Sequence, residues 1–172
     1  MSPDATPPES RVDPPLVANE RSMLEAWLDF HRETLPWKCE GLSDEQLKQA
    51  AVPPSNLTLL GLVRHMAEVE RGWFAELCGL DETGPYSTED DPEADFDNVA
   101  TADVSADFET FAREVATYRE HVARLPLDAV KSGRHGREFS LRWIYLHMIE
   151  EYARHNGHAD LIREAIDGTT GD

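Results

Sequence analysis

Four polar residues near the C-terminus, His147, Glu151, His155 and His158, follow one another at steps of four, four and three. On a helix turning 100° per residue they fall within roughly 80° of one another. A carboxylate and imidazoles presented to one point are the donor types that hold a divalent cation, and imidazoles also carry protons near neutral pH. The surrounding stretch, Ser140 to Asp167, also has an apolar stripe: Leu141, Ile144, Met148, Tyr152, Ala159, Ile162 and Ile166 recur at three- and four-residue steps. That is the pattern of a buried helix face. Carboxylate and imidazole groups on such a face are costly unless they are paired, hydrogen-bonded or bound to metal.

A Glu and a His at i and i+4 need a further ligand from a facing helix. The long helix expected over about Thr58 to Cys78 has one histidine inside its apolar stripe, His65. The set His65, Glu151 and His155 holds two imidazoles and one carboxylate, an open site for Zn²⁺, Ni²⁺ or Fe²⁺ with room for water or substrate. The competing reading is a set of hydrogen-bonded polar groups inside the protein, or a stripe turned toward solvent. His147 and His158 are alternative ligands, orienting groups or proton carriers. His31 lies on the apolar side of the first helix, as a core histidine or one lining a pocket; His121 and His135 need no role. Cys39 and Cys78 sit at helix C-termini, the wrong polarity for a thiolate, so no catalytic nucleophile is predicted. No nucleophile-elbow, Walker or dinucleotide glycine pattern occurs.

The elements that must position these residues can be read in order. Residues 1–17 contain five prolines and little to bury, and are expected to form a flexible arm. A first helix runs from about Asn19 to Cys39, with Leu24, Trp27, Leu28, His31 and Leu35 on its stripe and Pro36 near its end. Ser43 and Gln46 form a capping box for a short helix, Asp44 to Ala50. The second long helix carries Leu59, Leu62, Met66, Val69, Trp73 and Leu77. Residues 79–104 then hold eight acidic residues between Asp81 and Asp97 with weak periodicity, and read as a long loop with room for a turn of helix. The third long helix, roughly Ser105 to Leu125, presents Phe108, Phe111, Val115, Tyr118 and Val122, and Pro126 ends it. Ser140 is a natural N-cap and Gly168 a natural C′ residue for the fourth. No stretch alternates as a strand would. The prediction is an all-α, four-helix-bundle domain over residues 18–170.

The 172 residues include 16 Lys and Arg against 34 Asp and Glu, a formal charge of −18. A surface that acidic lacks the basic footprint that nucleic acids and anionic membranes require. The first residues lack the apolar core of a signal peptide, no transmembrane run is present and two cysteines are too few for a disulfide scaffold, so a cytoplasmic location is expected.

Two stretches, LTLLGLVRHMAEVERGWF (57–74) and SLRWIYLHMIEEYARHNGHADLIREAIDG (140–168), carry a resemblance to the DinB-like superfamily of metal-binding four-helix bundles, which includes YfiT-like proteins and thiol-dependent transferases. The resemblance covers roughly residues 18–170 and is closest to an actinobacterial-type branch. It implies an up-down-down-up helix order and a homodimer. In the superfamily one His of the second long helix joins a His or Glu and a second His four residues apart on the last helix; the matching positions are His65, Glu151 and His155. Many members have His where this chain has Glu151, and the Glu version is similar to maleylpyruvate isomerases that use mycothiol. The resemblance implies a divalent metal, zinc ahead of nickel or iron, and a small-thiol S-transferase of the mycothiol or bacillithiol type acting on an electrophilic small molecule. A non-catalytic metal-binding stress-response or ligand-binding bundle, and a metal-dependent hydrolase, are the alternatives.

Overall fold

The computed structural model of the chain describes residues 7–132 and 137–170; His135 lies outside them. Helices dominate: α1 (Glu20–Trp37), α2 (Asp44–Leu47), α3 (Leu59–Cys78), α4 (Ala94–Asp97), α5 (Val104–Val122) and α6 (Leu141–Asp167). Their ends follow local chemistry. Asn19, Ser43, Thr58, Asp103 and Ser140 each accept a hydrogen bond from a first-turn N–H, and Ser43 and Gln46 complete the capping box. Gly79 and Gly168 close α3 and α6 at φ 66° and 77°, the left-handed conformation that a side chain disfavours. Pro36 lies in the last turn of α1, where the helix has only one residue left to run.

The acidic segment is ordered by a turn of helix, and two features, a strand pair before α6 and the exposure of Trp27, depart from the sequence reading. The acidic segment between α3 and α5 contains α4 and a 3₁₀ turn, Val99–Thr101, with Ala94, Asp95 and Val99 buried. A short antiparallel pair, β1 (Val130–Ser132) and β2 (Glu138–Ser140), precedes α6. Three-residue strands are too short to show an alternation.

The core draws on all four long helices, with Leu28, Leu35, Leu59, Leu62, Met66, Phe74, Leu141, Ile144, Met148, Tyr152 and Ala159 fully buried. Trp27, placed on the α1 stripe by spacing, is 42% exposed instead. It stands at the edge of the apolar arc, where an indole keeps one face wet. In the arm, Arg11 donates to Thr34 Oγ1 at 2.9 Å and lies 4.0 Å from the Phe30 ring centre.

Buried ion pairs fix how the helices meet. Arg32 of α1 forks onto Glu70 of α3 through two 2.7 Å bonds, and the Tyr152 hydroxyl of α6 donates to the same carboxylate at 2.7 Å. Arg64 and Arg71 of α3 reach Asp107 and Glu114 of α5 at 3.1 and 2.7 Å, partner numbers rising together. They rise together again from Glu20–Arg142 to His31–Asn156, between α1 and α6. Between α3 and α6 they run in opposite senses: His65 meets His155, and Trp73 meets His147. No helix among the described residues is long and apolar enough to cross a membrane.

Candidate metal centre

The polar stripe of α6 lies beside its apolar stripe and faces α3. His147, Glu151 and His155 are therefore neither core nor surface, with side chains 20%, 19% and 12% exposed. Glu151 is bracketed by imidazoles: its Oε2 lies 3.4 Å from His155 Nε2, and its Oε1 lies 3.4 Å from His147 Nε2. Two donors sharing one tetrahedral zinc at bonds near 2.0–2.1 Å sit about 3.3 Å apart, so the spacing suits shared coordination as well as a long hydrogen bond.

His65 comes from α3 and packs edge to face on His155, ring centres 4.8 Å apart. The residue pairing expected across the helices is present. The three donor atoms do not yet surround one point, for among the described residues no three His, Cys, Asp or Glu are grouped closely enough to hold an ion. His155 turns Nε2 toward Glu151, while its Nδ1 is buried with no hydrogen-bond partner. Burial, reinforced by the neighbouring His65 and His158, lowers the His155 pKa to about 4, so the ring is neutral and its lone pair free at physiological pH. On donor chemistry and on the 3.4 Å spacing of Glu151 Oε2 from His155 Nε2, the residues fit a divalent cation.

The remaining histidines separate. His147 is pressed between aromatic rings, 4.5 Å from Trp73 and 4.8 Å from Trp143, with Nδ1 3.4 Å from Glu150. It has Glu151 within reach but no contact with His65 among its ring neighbours. His158 touches the His155 ring at 5.5 Å, and its own Nδ1 is buried without a partner. His31 is held in the α1–α6 contact, where Asn156 Nδ2 donates to its carbonyl at 3.1 Å, and burial together with Arg11 lowers its pKa. Cys39 is buried, which pushes its thiol up to about 12 and leaves it a poor nucleophile.

One residue at this centre was not anticipated. Asp95, on α4, is 4% exposed and places Oδ2 2.8 Å from His65 Nδ1. Nothing in the sequence singles it out from the other acidic residues of its segment. A cavity of about 450 Å³ opens two turns along α3, walled in part by Val69, Trp73, Glu76, Lys131, Arg137 and Phe139. Trp73 links that cavity to His147 and hence to Glu151.

No curated protein and no solved structure matches the chain. The family model for mycothiol-S-transferase matches residues 23–168, a span that takes in most of α1, all of α3, α5 and α6, and every residue of the centre. The chain belongs to the mycothiol-S-transferase family, within the DinB-like superfamily.

Proposed function

We propose that the protein is a divalent-metal-dependent S-transferase that joins mycothiol to an electrophilic small molecule, with His65, Glu151 and His155 as the metal ligands. The observation that carries this reading is the meeting of His65 with His155 across α3 and α6, next to a carboxylate 3.4 Å from the same imidazole. Family membership supports a thiol substrate. The partner numbers rising together on α3 and α5, and opposing on α3 and α6, support an up-down-down-up four-helix bundle as the frame.

His65, Glu151 and His155 would hold a divalent cation, which would supply the Lewis acidity that favours the ionised form of a thiol near pH 7. The chain's own groups do the rest. His155 stays neutral and so remains a donor; His147 sits against the outer oxygen of Glu151 and steers that carboxylate toward α3. Trp73 and Trp143 pack against the His147 ring and hold its direction. In the transfer itself the thiol loses its proton to solvent or a nearby imidazole, its sulfur forms a C–S bond to the electrophile, and the leaving group departs with the bonding pair.

The test is conjugation of mycothiol to monochlorobimane, followed by fluorescence, with the metal-free chain as control. Zinc-dependent product with mycothiol is expected. No product above the metal-free control, at any of zinc, nickel or iron, would sink the transferase reading.

A further inference from the structure

We infer that Asp95 is the positioning residue for His65: it holds the imidazole in the Nδ1–H form and so presents Nε2 as the lone-pair donor. The inference rests on the metal reading of the centre. Its basis is the 2.8 Å contact between Asp95 Oδ2 and His65 Nδ1. A carboxylate only accepts, so the hydrogen in that contact belongs to the imidazole and the other ring nitrogen is left bare. Buried carboxylates are expensive, and Asp95 is 4% exposed in a segment whose other acids can reach water. That cost is met by a fixed geometry on every side.

The geometry is built from α3 itself. Arg64, the residue before His65, donates to the carbonyls of Asp95 at 2.8 Å and Ala94 at 2.9 Å, and pairs with Asp107 on α5. Arg64 grips the backbone of α4, so the Asp95 side chain stays free for His65. The second oxygen, Oδ1, accepts from the Phe96 N–H at 3.0 Å, which sets the carboxylate's rotation. Phe96 then lies flat on the His65 ring, centres 4.7 Å apart. Gly61, one turn earlier, makes room: a Cβ there would stand 3.1 Å from Phe96 Cδ1. The imidazole is thus held at one nitrogen and over one face by two consecutive residues of a segment that two residues of α3 secure. Carboxylate–imidazole pairs of this kind fix tautomer and ring direction and typically govern metal affinity by 10–100-fold, as an order of magnitude.

The experiment uses the full chain. In the metal-free wild type, at a pH above the imidazole range, ¹⁵N-edited NMR reads the His65 tautomer; Nδ1–H is expected, and a bare Nδ1 would overturn the inference without any variant. Zinc affinity is then measured by chelator competition for wild type, Asp95→Asn and Asp97→Asn, the last being an exposed acid of the same turn. A loss of about 10–100-fold in Asp95→Asn, with Asp97→Asn near wild type and unchanged far-UV dichroism in both, is the expected result. Equal affinity in Asp95→Asn and wild type overturns the role of Asp95 and leaves the metal centre standing. Failure of the wild type itself to bind zinc, nickel or iron removes the metal centre and this inference together.

Discussion

Replacing Glu70 with glutamine tests the polar joint that aims the centre. Glu70 has no exposed surface and Arg32 is 3% exposed, so the bidentate pair is out of water. Tyr152 adds a third short bond, and burial with the Glu70 charge holds its phenol protonated well above the usual range, as a donor must be. Glutamine keeps the shape but removes the charge, leaving the Arg32 guanidinium buried against a neutral amide. Breaking one side of a buried pair costs about 3–5 kcal/mol, which at 2–4 °C per kcal/mol for a domain of this size is a fall of about 6–20 °C in melting temperature. The double replacement Arg32→Met with Glu70→Met strands no charge and should recover much of that loss. Urea and thermal unfolding, read by circular dichroism, decide the matter. A Glu70→Gln cost below about 1 kcal/mol, or a double variant worse than the sum of the singles, would refute the argument. Tyr152 neighbours Glu151, so the same joint sets the rotation of α6 that turns Glu151 and His155 toward α3.

Other outcomes follow from the same contacts. With its thiol pushed up to about 12, Cys39 should stay unreacted toward a thiol-disulfide reagent in the native chain, while Cys78 reacts slowly; Cys78→Ser should abolish native labelling. His31 and His155 both have lowered pKa values in the fold, chiefly through burial, from an ordinary value of 6.5. The unfolded chain therefore binds more protons at these rings below that value, so the metal-free protein should lose stability as pH falls from about 6.5 toward 4 and be level above it. His31→Gln should shrink the difference between urea midpoints measured at about pH 7.5 and about pH 5; an unchanged difference would contradict the assignment. Gly61→Ala would bring a Cβ to 3.0 Å from Thr58 Oγ1 and 3.1 Å from Phe96 Cδ1, so Phe96 should give by a few tenths of an ångström and the His65 resonances should shift; unchanged resonances would contradict the stacking.

Helix ends were the most legible part of the chain, because they depend on single residues with local chemistry. Ser140 and Gly168 act as their types predict, and the Ser43–Gln46 box forms. The approach of His65 to His155 was legible too, since helical spacing and an apolar stripe define which side of α3 and α6 is turned inward. Asp95 was not. It comes from a segment where acids are dense and periodicity is weak, and its burial depends on Arg64 capturing the α4 carbonyls, a long-range contact with no local signature. The β1–β2 pair escaped for a different reason: each strand is three residues long, below the length at which a period of two can be seen. Spacing alone also left His147 level with His155. What distinguishes them is their neighbours on α3, an imidazole for one and an indole for the other.

The most direct test of the centre is a zinc titration of the metal-free chain against a chromophoric chelator, run on wild type, His65→Ala and His147→Ala. A single tight equivalent in wild type, lost in His65→Ala and kept in His147→Ala, is the predicted result. Retention in His65→Ala, or loss only in His147→Ala, would contradict a site built from His65, Glu151 and His155.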